Sequence, residues 1–459
     1  MVKTPLLITV IVVSLFLNIL EWLTFQVLLK QDHHESNHIW ASLHQVTTFA
    51  LANNIPLILI DEHILPSIVK GIPDKKHKYP YCHVLCKDQL ITHLAAIGEF
   101  TDHAKLGKLV KALRDVGNTV IEFADFDPTL LHHDLRVTLP FHLIIFKEEL
   151  VPTHPVHVTH IAVFYDRLYK YWWLPQFNPK EKEKKLLLRQ KIRKANFISS
   201  DSSHIYEKQE IRNTIIDGLN IALPSEPKVF YQTPSKTKFI ECRKAEAKEW
   251  KTLWGVTDNE ATEIFRSNVH SLLVKVKEVL DGMKIPFWLN SGTLLGYYRE
   301  CDIIAHTQDV DIGVLITDYV PEMINRFFLH DLPLLHVFGK PEDSFELSFR
   351  DGNLKLDIFF FYDAGDHLWN GGTDAKTGKK YKYKFPRFSL CWTEFLDLPF
   401  RVPCETLPFV RANYGPNWSI PIETWDWQSS PSNVETNGKW PPEEWAKVIQ
   451  LSPTSDIID

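Results

Sequence analysis

The stretch Phe287–Asp311, FWLNSGTLLGYYRECDIIAHTQDVD, completed at Lys355-Leu356-Asp357-Ile358-Phe359, decides how this chain is read. Phe287 to Leu289 is an apolar strand that enters a Ser291-Gly292-Thr293 turn, and Thr293 to Tyr298 then reads as a short helix. Asp309-Val310-Asp311-Ile312-Gly313 follows, two acids separated by one aliphatic residue. Residues i and i+2 of a strand share a face, so Asp309 and Asp311 project together while Val310 and Ile312 enter the core. Asp357 repeats the pattern between Leu356 and Ile358. Three carboxylates on adjacent strands suit one or two hard divalent cations. Mg²⁺, with Mn²⁺ as a substitute, prefers a few carboxylates plus phosphate oxygens to a full protein cage. The chemistry this implies is phosphoryl transfer, with Asp309, Asp311 and Asp357 as both metal ligands and catalytic groups.

An isolated Asp-x-Asp is more often solvated surface than a site. Here the flanks are strongly apolar, and a second acid has the same β-context. The glycine turn opens a helix, so backbone N–H groups at Ser291, Gly292 and Thr293 are available to a phosphate. Glycine turn, acid pair and later third acid together have the layout of the nucleotidyltransferase superfamily.

A denser resemblance covers the chain from about residue 239 onward. It is carried by Phe239 to Arg243 (FIECR), by PFWLNSGTLLGYYRECDII (Pro286 to Ile304) and by QDVDIG (Gln308 to Gly313). It continues through Gly339 to Ser344 (GKPEDS), ELSF (Glu346 to Phe349), KLDIFFFY (Lys355 to Tyr362) and HLWNGGTDAKTGKKYKY (His367 to Tyr383). LCWTEF at Leu390, VPCET at Val402, ANYG at Ala412 and TWDW at Thr424 complete it. Before 239 the agreement is looser, mainly Ile58 to Asp61, Cys82-x-x-x-Cys86 and Asp217-Gly218-Leu219. By these motifs the chain resembles the LicD family of phosphotransferases. The resemblance implies a type II Golgi membrane protein with a luminal catalytic domain. It implies CDP-ribitol as donor, CMP as leaving group, and as acceptor the GalNAc of the phosphorylated O-mannosyl glycan of α-dystroglycan. Complexes with related Golgi glycan-modifying enzymes are a further implication. Nothing in the residues themselves selects ribitol over choline or glycerol.

Length and composition are consistent with this. At 459 residues and 44% apolar content, two folded domains with ordinary cores are expected. A net charge of −6 argues against a nucleic-acid partner, which would call for a basic balance. Residues 6–29, LLITVIVVSLFLNILEWLTFQVLL, are long enough to span a bilayer. No small-x-small cleavage site follows, and bulky Glu21-Trp22-Leu23 stands where one would be needed. The expected organisation is α/β: a cytoplasmic tail over 1–5, a transmembrane signal anchor over 6–29, a luminal α/β stem domain over 30–240, and an α+β nucleotidyltransferase-like (LicD-type) catalytic domain over 241–459.

In the stem, expected strands are Ile55 to Ile60, Asn118 to Phe123, Phe141 to Phe146, His157 to Phe164 and Asn213 to Ile221, with an amphipathic helix over Ala104 to Val116. Its histidines (His33, His34, His132, His133, His154, His157, His160) lack metal-ligand spacing and read as solvated or core. The basic run Pro179 to Lys194 reads as a solvated helix face rather than an anion-binding surface. Of the six cysteines, Cys82 and Cys86 can bridge locally, and Cys391 and Cys404 flank a hairpin; the connectivity stays open. Asn417-Trp418-Ser419 is the one glycosylation sequon.

In the catalytic domain, Asp258 is the expected cap of a helix from Asn259 to Asp281. Arg299 and Lys340 are phosphate candidates, along with Lys376, Lys379, Lys380, Lys382 and Lys384, because a diphosphate needs positive charge around it. Glu342, Asp343, Glu346 and Ser348 are further polar candidates, and Trp369, Trp425 and Trp427 offer stacking surfaces. Four other readings remain: a donor such as another CDP-alditol or CDP-choline, a nucleotidyltransferase using CTP, a glycosyltransferase using a sugar nucleotide, and a non-catalytic Golgi scaffold.

Overall fold

The computed structural model describes residues 38–71, 82, 84–86, 90–98, 103–129, 136–149, 156–232, 237–257, 259–305, 307, 309–422 and 424–451. The apolar run at 6–29 lies outside them, as do His33, His34, His132, His133, His154 and Asp258. Among the described residues no helix is long and apolar enough to cross a membrane. The chain divides into two compact units between Ser235 and Lys236.

The first unit is a mixed α/β arrangement. Its strands are β1 Ile58–Leu59, β2 Ile91–Gly98, β3 Thr119–Phe126, β4 Thr138–Phe146, β5 Val158–Arg167, β6 Tyr171–Leu174, β7 Ser203–Glu207, β8 Ile211–Ile216 and β9 Leu219–Pro224. β2 and β5 pair in parallel, and the chain between them runs through the amphipathic helix His103–Asp115, whose Leu106, Leu109, Val110 and Leu113 are buried, and then through β3 and β4. The sequence reads one strand from Asn213 to Ile221, but the structure makes a hairpin there. Asp217 and Gly218 both have positive φ (47° and 76°), the mark of a tight two-residue hairpin turn that a continuous strand cannot contain. Asp217 also accepts backbone hydrogen bonds from Val84 and Leu85, each 2.8 Å, beside the Cys82–Cys86 disulfide. The basic run becomes the helix Glu181–Arg189, which buries Leu187 and leaves Leu188 exposed.

The second unit is built on β10 Lys238–Phe239, β11 Phe287–Leu289, β12 Asp309–Leu315, β13 Leu334–Lys340, β14 Asp343–Asp351, β15 Leu354–Asp363, β16 His367–Thr373, β17 Lys379–Pro386, β18 Leu390–Phe395, β19 Leu398–Pro403, β20 Val434–Lys439 and β21 Ile449–Leu451. The main sheet runs β20-β17-β16-β15-β14-β13-β21, and β12 pairs in parallel with β15 and antiparallel with β11. One face of these strands is a dry core. Val310, Ile312, Leu347, Phe349, Leu356 and Ile358 are all fully buried, packed in the same cluster as Val269, Leu272, Leu273 and Val276 of the helix Glu260–Gly282. That helix is capped by Asn259, whose side chain accepts from Thr262 N at 2.9 Å. The cap is therefore Asn259 rather than Asp258. Its carbonyl reaches the third helical N–H, one of the donors a helix start leaves unpaired.

Disulfides join Cys242 to Cys301 and Cys391 to Cys404. The second closes the β18–β19 hairpin, where Cys391 pairs in register with Val402. The first ties the end of the helix Ser291–Glu300 to the start of the unit. Cys301 sits there in a left-handed conformation (φ 53°) that stops the helix.

Candidate active site

Register places the acids. Asp311 stands directly opposite Asp357 across the parallel β12–β15 pair, and Asp309 stands opposite Lys355. On the other side of β15, Asp357 faces Ser348 on β14, and Ser348 faces His336 on β13. One level of the sheet thus reads His336, Ser348, Asp357, Asp311 across four adjacent strands. The i+2 rule puts Glu346, Lys355 and Asp309 on the same face. This face floors a cavity of about 900 Å³. Carboxylate oxygens of Asp309, Asp311 and Asp357 all lie within 4.8 Å of one another.

The glycine turn serves this floor. Gly292 N donates to Asp311 Oδ2 at 3.0 Å, and Asp311 N donates to Thr293 Oγ1 at 2.8 Å. A Cβ at Gly292 would press on Asp311 Oδ2 at 3.4 Å. Ser291, in the left-handed region at φ 40°, lines the cavity. Thr293 is buried, with its hydroxyl engaged by the strand. The turn's first task is therefore to fix Asp311 rather than to present free donors to a phosphate, because the carboxylate fills the place a ligand oxygen would take.

Electrostatics mark the cluster as strained without a cation. Burial, then the charge of Asp357, raises the Asp309 pKa above the ordinary carboxylate range. Burial and both neighbouring acids push Asp311 well up. Lys355 Nζ lies 3.1 Å from Asp357 Oδ2, and that negative charge holds its own pKa above the usual lysine value. Three carboxylates against one ammonium leave two negative charges unbalanced. The residues fit a bound divalent cation.

Other candidates distribute unevenly. Arg299 reaches the cavity wall, but its guanidinium is held by Glu300 Oε1 (3.0 and 2.5 Å) and stacks 4.5 Å over Trp250. Lys340 is not brought to the cavity; it pairs with Glu444 at 2.7 Å. Of the five lysines near β17, Lys376 lines the cavity, whereas Lys380 binds Asp343 and Lys384 binds Glu435. Lys382 lies 4.2 Å over Trp369, which itself stacks on Tyr362. Trp425 and Trp427 do line the cavity, Trp425 packed 4.8 Å from Tyr414. Glu342 and Asp343 stand outside the lining, while Glu346 belongs to it.

Sequence reasoning missed His336, Lys355, Asn370 and Tyr414 as lining residues. Lys355 was within reach, since it stands two residues before Asp357 on the same face. His336 had no local signal, because only strand order across β13, β14 and β15 brings it near Asp357.

Two family models match: "Fukutin N-terminal" over residues 24–269 and "LicD/FKTN/FKRP, nucleotidyltransferase domain" over residues 284–405. The chain is 38% identical over 421 residues to the ribitol-5-phosphate transferase FKTN of Mus musculus, covering 90% of this chain and 88% of the relative. It is 37% identical over 421 residues to the Homo sapiens protein of the same name, with the same coverage. An uncharacterized Caenorhabditis elegans protein is 30% identical over 245 residues, half of this chain and 61% of that one. By these matches the chain is a transferase and belongs to the fukutin family.

Proposed function

We propose that this chain transfers ribitol 5-phosphate from CDP-ribitol to the GalNAc of a phosphorylated O-mannosyl glycan on an α-dystroglycan-like glycoprotein, releasing CMP. The observation that carries the reading is the alignment of Asp309, Asp311 and Asp357 on the one sheet face that floors a cavity of about 900 Å³. The names of its full-length relatives supply the ribitol phosphate.

In this reading Asp309, Asp311 and Asp357 hold one or two Mg²⁺ ions, or Mn²⁺ in their place. When bound, the metal neutralises charge on the diphosphate oxygens and lowers the pKa of a nearby hydroxyl. Asp311, clamped by Gly292 N–H and the Thr293 hydroxyl, keeps its orientation as charge moves. Asp309 is the most open of the three and accepts the proton of the attacking sugar hydroxyl. The new P–O bond forms at the ribitol-bearing phosphorus as the bond to CMP breaks. Lys355 and Lys376 balance phosphate charge, and Tyr414, Trp425 and Trp427 form the aromatic wall that receives the cytidine. The chain would act in the Golgi lumen as a single-pass type II protein anchored by residues 6–29, in company with related glycan-modifying enzymes.

The test is CMP release by the purified full chain given CDP-ribitol, CDP-glycerol or CDP-choline and an acceptor glycopeptide, with and without Mg²⁺. Release with CDP-ribitol that needs both acceptor and metal is the expected result. Release with another donor would move the substrate, and no release from folded protein that binds no metal would favour a scaffold.

A further inference from the structure

The same sheet face carries a second group of ligand-type atoms, two of whose three residues the proposed chemistry does not use. His336, Glu346 and Asp357 each offer an atom within 4.8 Å of the other two. Asp357 belongs to both groups, and its two oxygens face different ways. Oδ2 meets Lys355 Nζ at 3.1 Å. Oδ1 accepts a hydrogen bond from Ser348 Oγ, whose other partner is His336 Nε2 at 2.5 Å.

Glu346 is the anomaly of this group. It is 9% exposed, lines the cavity, and has His336 Nε2 as its ion-pair partner at 3.9 Å. A carboxylate this buried, held by one long contact to an imidazole, keeps lone pairs to offer, and such groups are normally paired more closely or metal-bound. Asn370 lines the same cavity, is 4% exposed, and its Oδ1 has no hydrogen-bond partner among the described residues. A carboxylate held by one long contact and an unpartnered amide oxygen on the same cavity leave acceptor capacity that a cation and the water it carries would fill.

We propose that His336, Glu346 and Asp357 form a second divalent-cation site, selective for a borderline transition ion such as Zn²⁺ or Co²⁺, with Asp357 shared between it and the three-aspartate site. The imidazole sets the selectivity, since nitrogen ligands suit zinc and its neighbours, whereas Mg²⁺ keeps to oxygen. Ser348 is the occupant that a metal displaces: its hydroxyl bonds His336 Nε2 and Asp357 Oδ1, the atoms an ion would take. Removing that hydroxyl should tighten binding, an effect opposite to that expected for a purely structural network. The inference shares only Asp357 with the function proposed above.

The test is titration of the metal-stripped full chain with Zn²⁺ against a chromophoric chelator, repeated with Co²⁺ while recording its visible ligand-field bands. Co²⁺ bound to a nitrogen-containing site is expected in the wild type. His336→Gln and Glu346→Gln each weaken that ion at least tenfold and abolish or shift the bands, with the circular dichroism melt retained. Ser348→Ala tightens it severalfold, and Asp309→Asn leaves it in place. Zn²⁺ affinity and Co²⁺ bands unchanged in both His336→Gln and Glu346→Gln would overturn the second site. If Asp309→Asn still lost an Mg²⁺-competitive ion, the three-aspartate reading would survive that result. Weaker Zn²⁺ binding in Ser348→Ala would also overturn it, by showing the hydroxyl to be a support rather than a competitor.

Discussion

Asp311 is the side chain on which most local interactions converge. Its backbone N–H and one carboxylate oxygen are fixed by Thr293 and Gly292, and its carbonyl accepts from Asn290 N at 3.0 Å. Asp311→Asn keeps an oxygen for the Gly292 N–H, so the fold should persist while transfer falls by about 100-fold or more, read as CMP release. Lys355 has a different task. With divalent ions removed it is the ammonium against Asp357, so Lys355→Met should melt below wild type in chelator. Added Mg²⁺ should narrow that gap, because the cation supplies the charge the lysine gave. A gap that persists in Mg²⁺ would assign the lysine to packing.

At the scale of elements, the floor depends on close approaches that leave no room for a methyl group. A Cβ at Gly313 on β12 would stand 2.3 Å from the indole of Trp288, which is buried and packed against Phe361 and Phe388. Gly313→Ala should therefore cost about 1–3 kcal/mol in urea unfolding, since overpacking a dense core forces neighbours off their rotamers. The helix Ser291–Glu300 is pinned at its far end by the Cys242–Cys301 disulfide and by Tyr297 OH, 2.7 Å from Thr393 Oγ1. That disulfide spans 59 residues, so on a chain-entropy basis Cys301→Ser should lower stability by about 4 kcal/mol. Full stability in that variant would place the constraint in the Tyr297 contact instead.

For the molecule as a whole, the first unit carries a pH sensitivity set by buried histidines. His93, His142 and His160 form a buried hydrogen-bonded chain, with Nδ1 atoms of His93 and His160 2.8 Å apart and His142 Nδ1 3.0 Å from His160 Nε2. Burial lowers the pKa of His93 to about 3 and those of His142 and His157 to about 4, and depresses His160 as well. Unfolded histidines titrate near 6.5, so below that pH the unfolded chain binds more protons than the folded one. Stability of this unit is then full above about pH 6.5 and falls toward pH 4, by up to about 1.4 kcal/mol per histidine per pH unit. Amide exchange in β2, β4 and β5, corrected for intrinsic rates, should show lower protection at pH 5.5 than at 7.5. Equal protection would mean that these histidines already charge in the fold.

The sequence by itself determined the parts of this protein that follow from local periodicity. Alternation at Asp309-Val310-Asp311-Ile312 and again at Leu356-Asp357-Ile358 set which side chains face the core, and the structure buries Val310, Ile312, Leu356 and Ile358 completely. Family identity was legible for the same reason, because its motifs are contiguous runs. Short-range spacing also exposed the Cys82–Cys86 and Cys391–Cys404 pairs, whereas Cys242–Cys301 needed the chain to return over 59 residues. Only tertiary structure decided what surrounds the acids. His336 and Asn370 come to the cavity through the antiparallel order and register of β13 to β16, which also select Glu346 from the four polar candidates that the alternation offered. Tertiary structure likewise kept Lys340 out of the cavity lining, its charge taken up by the sequence-distant Glu444. A basic residue's role depends on which acid it meets first, and that is settled by packing across the fold.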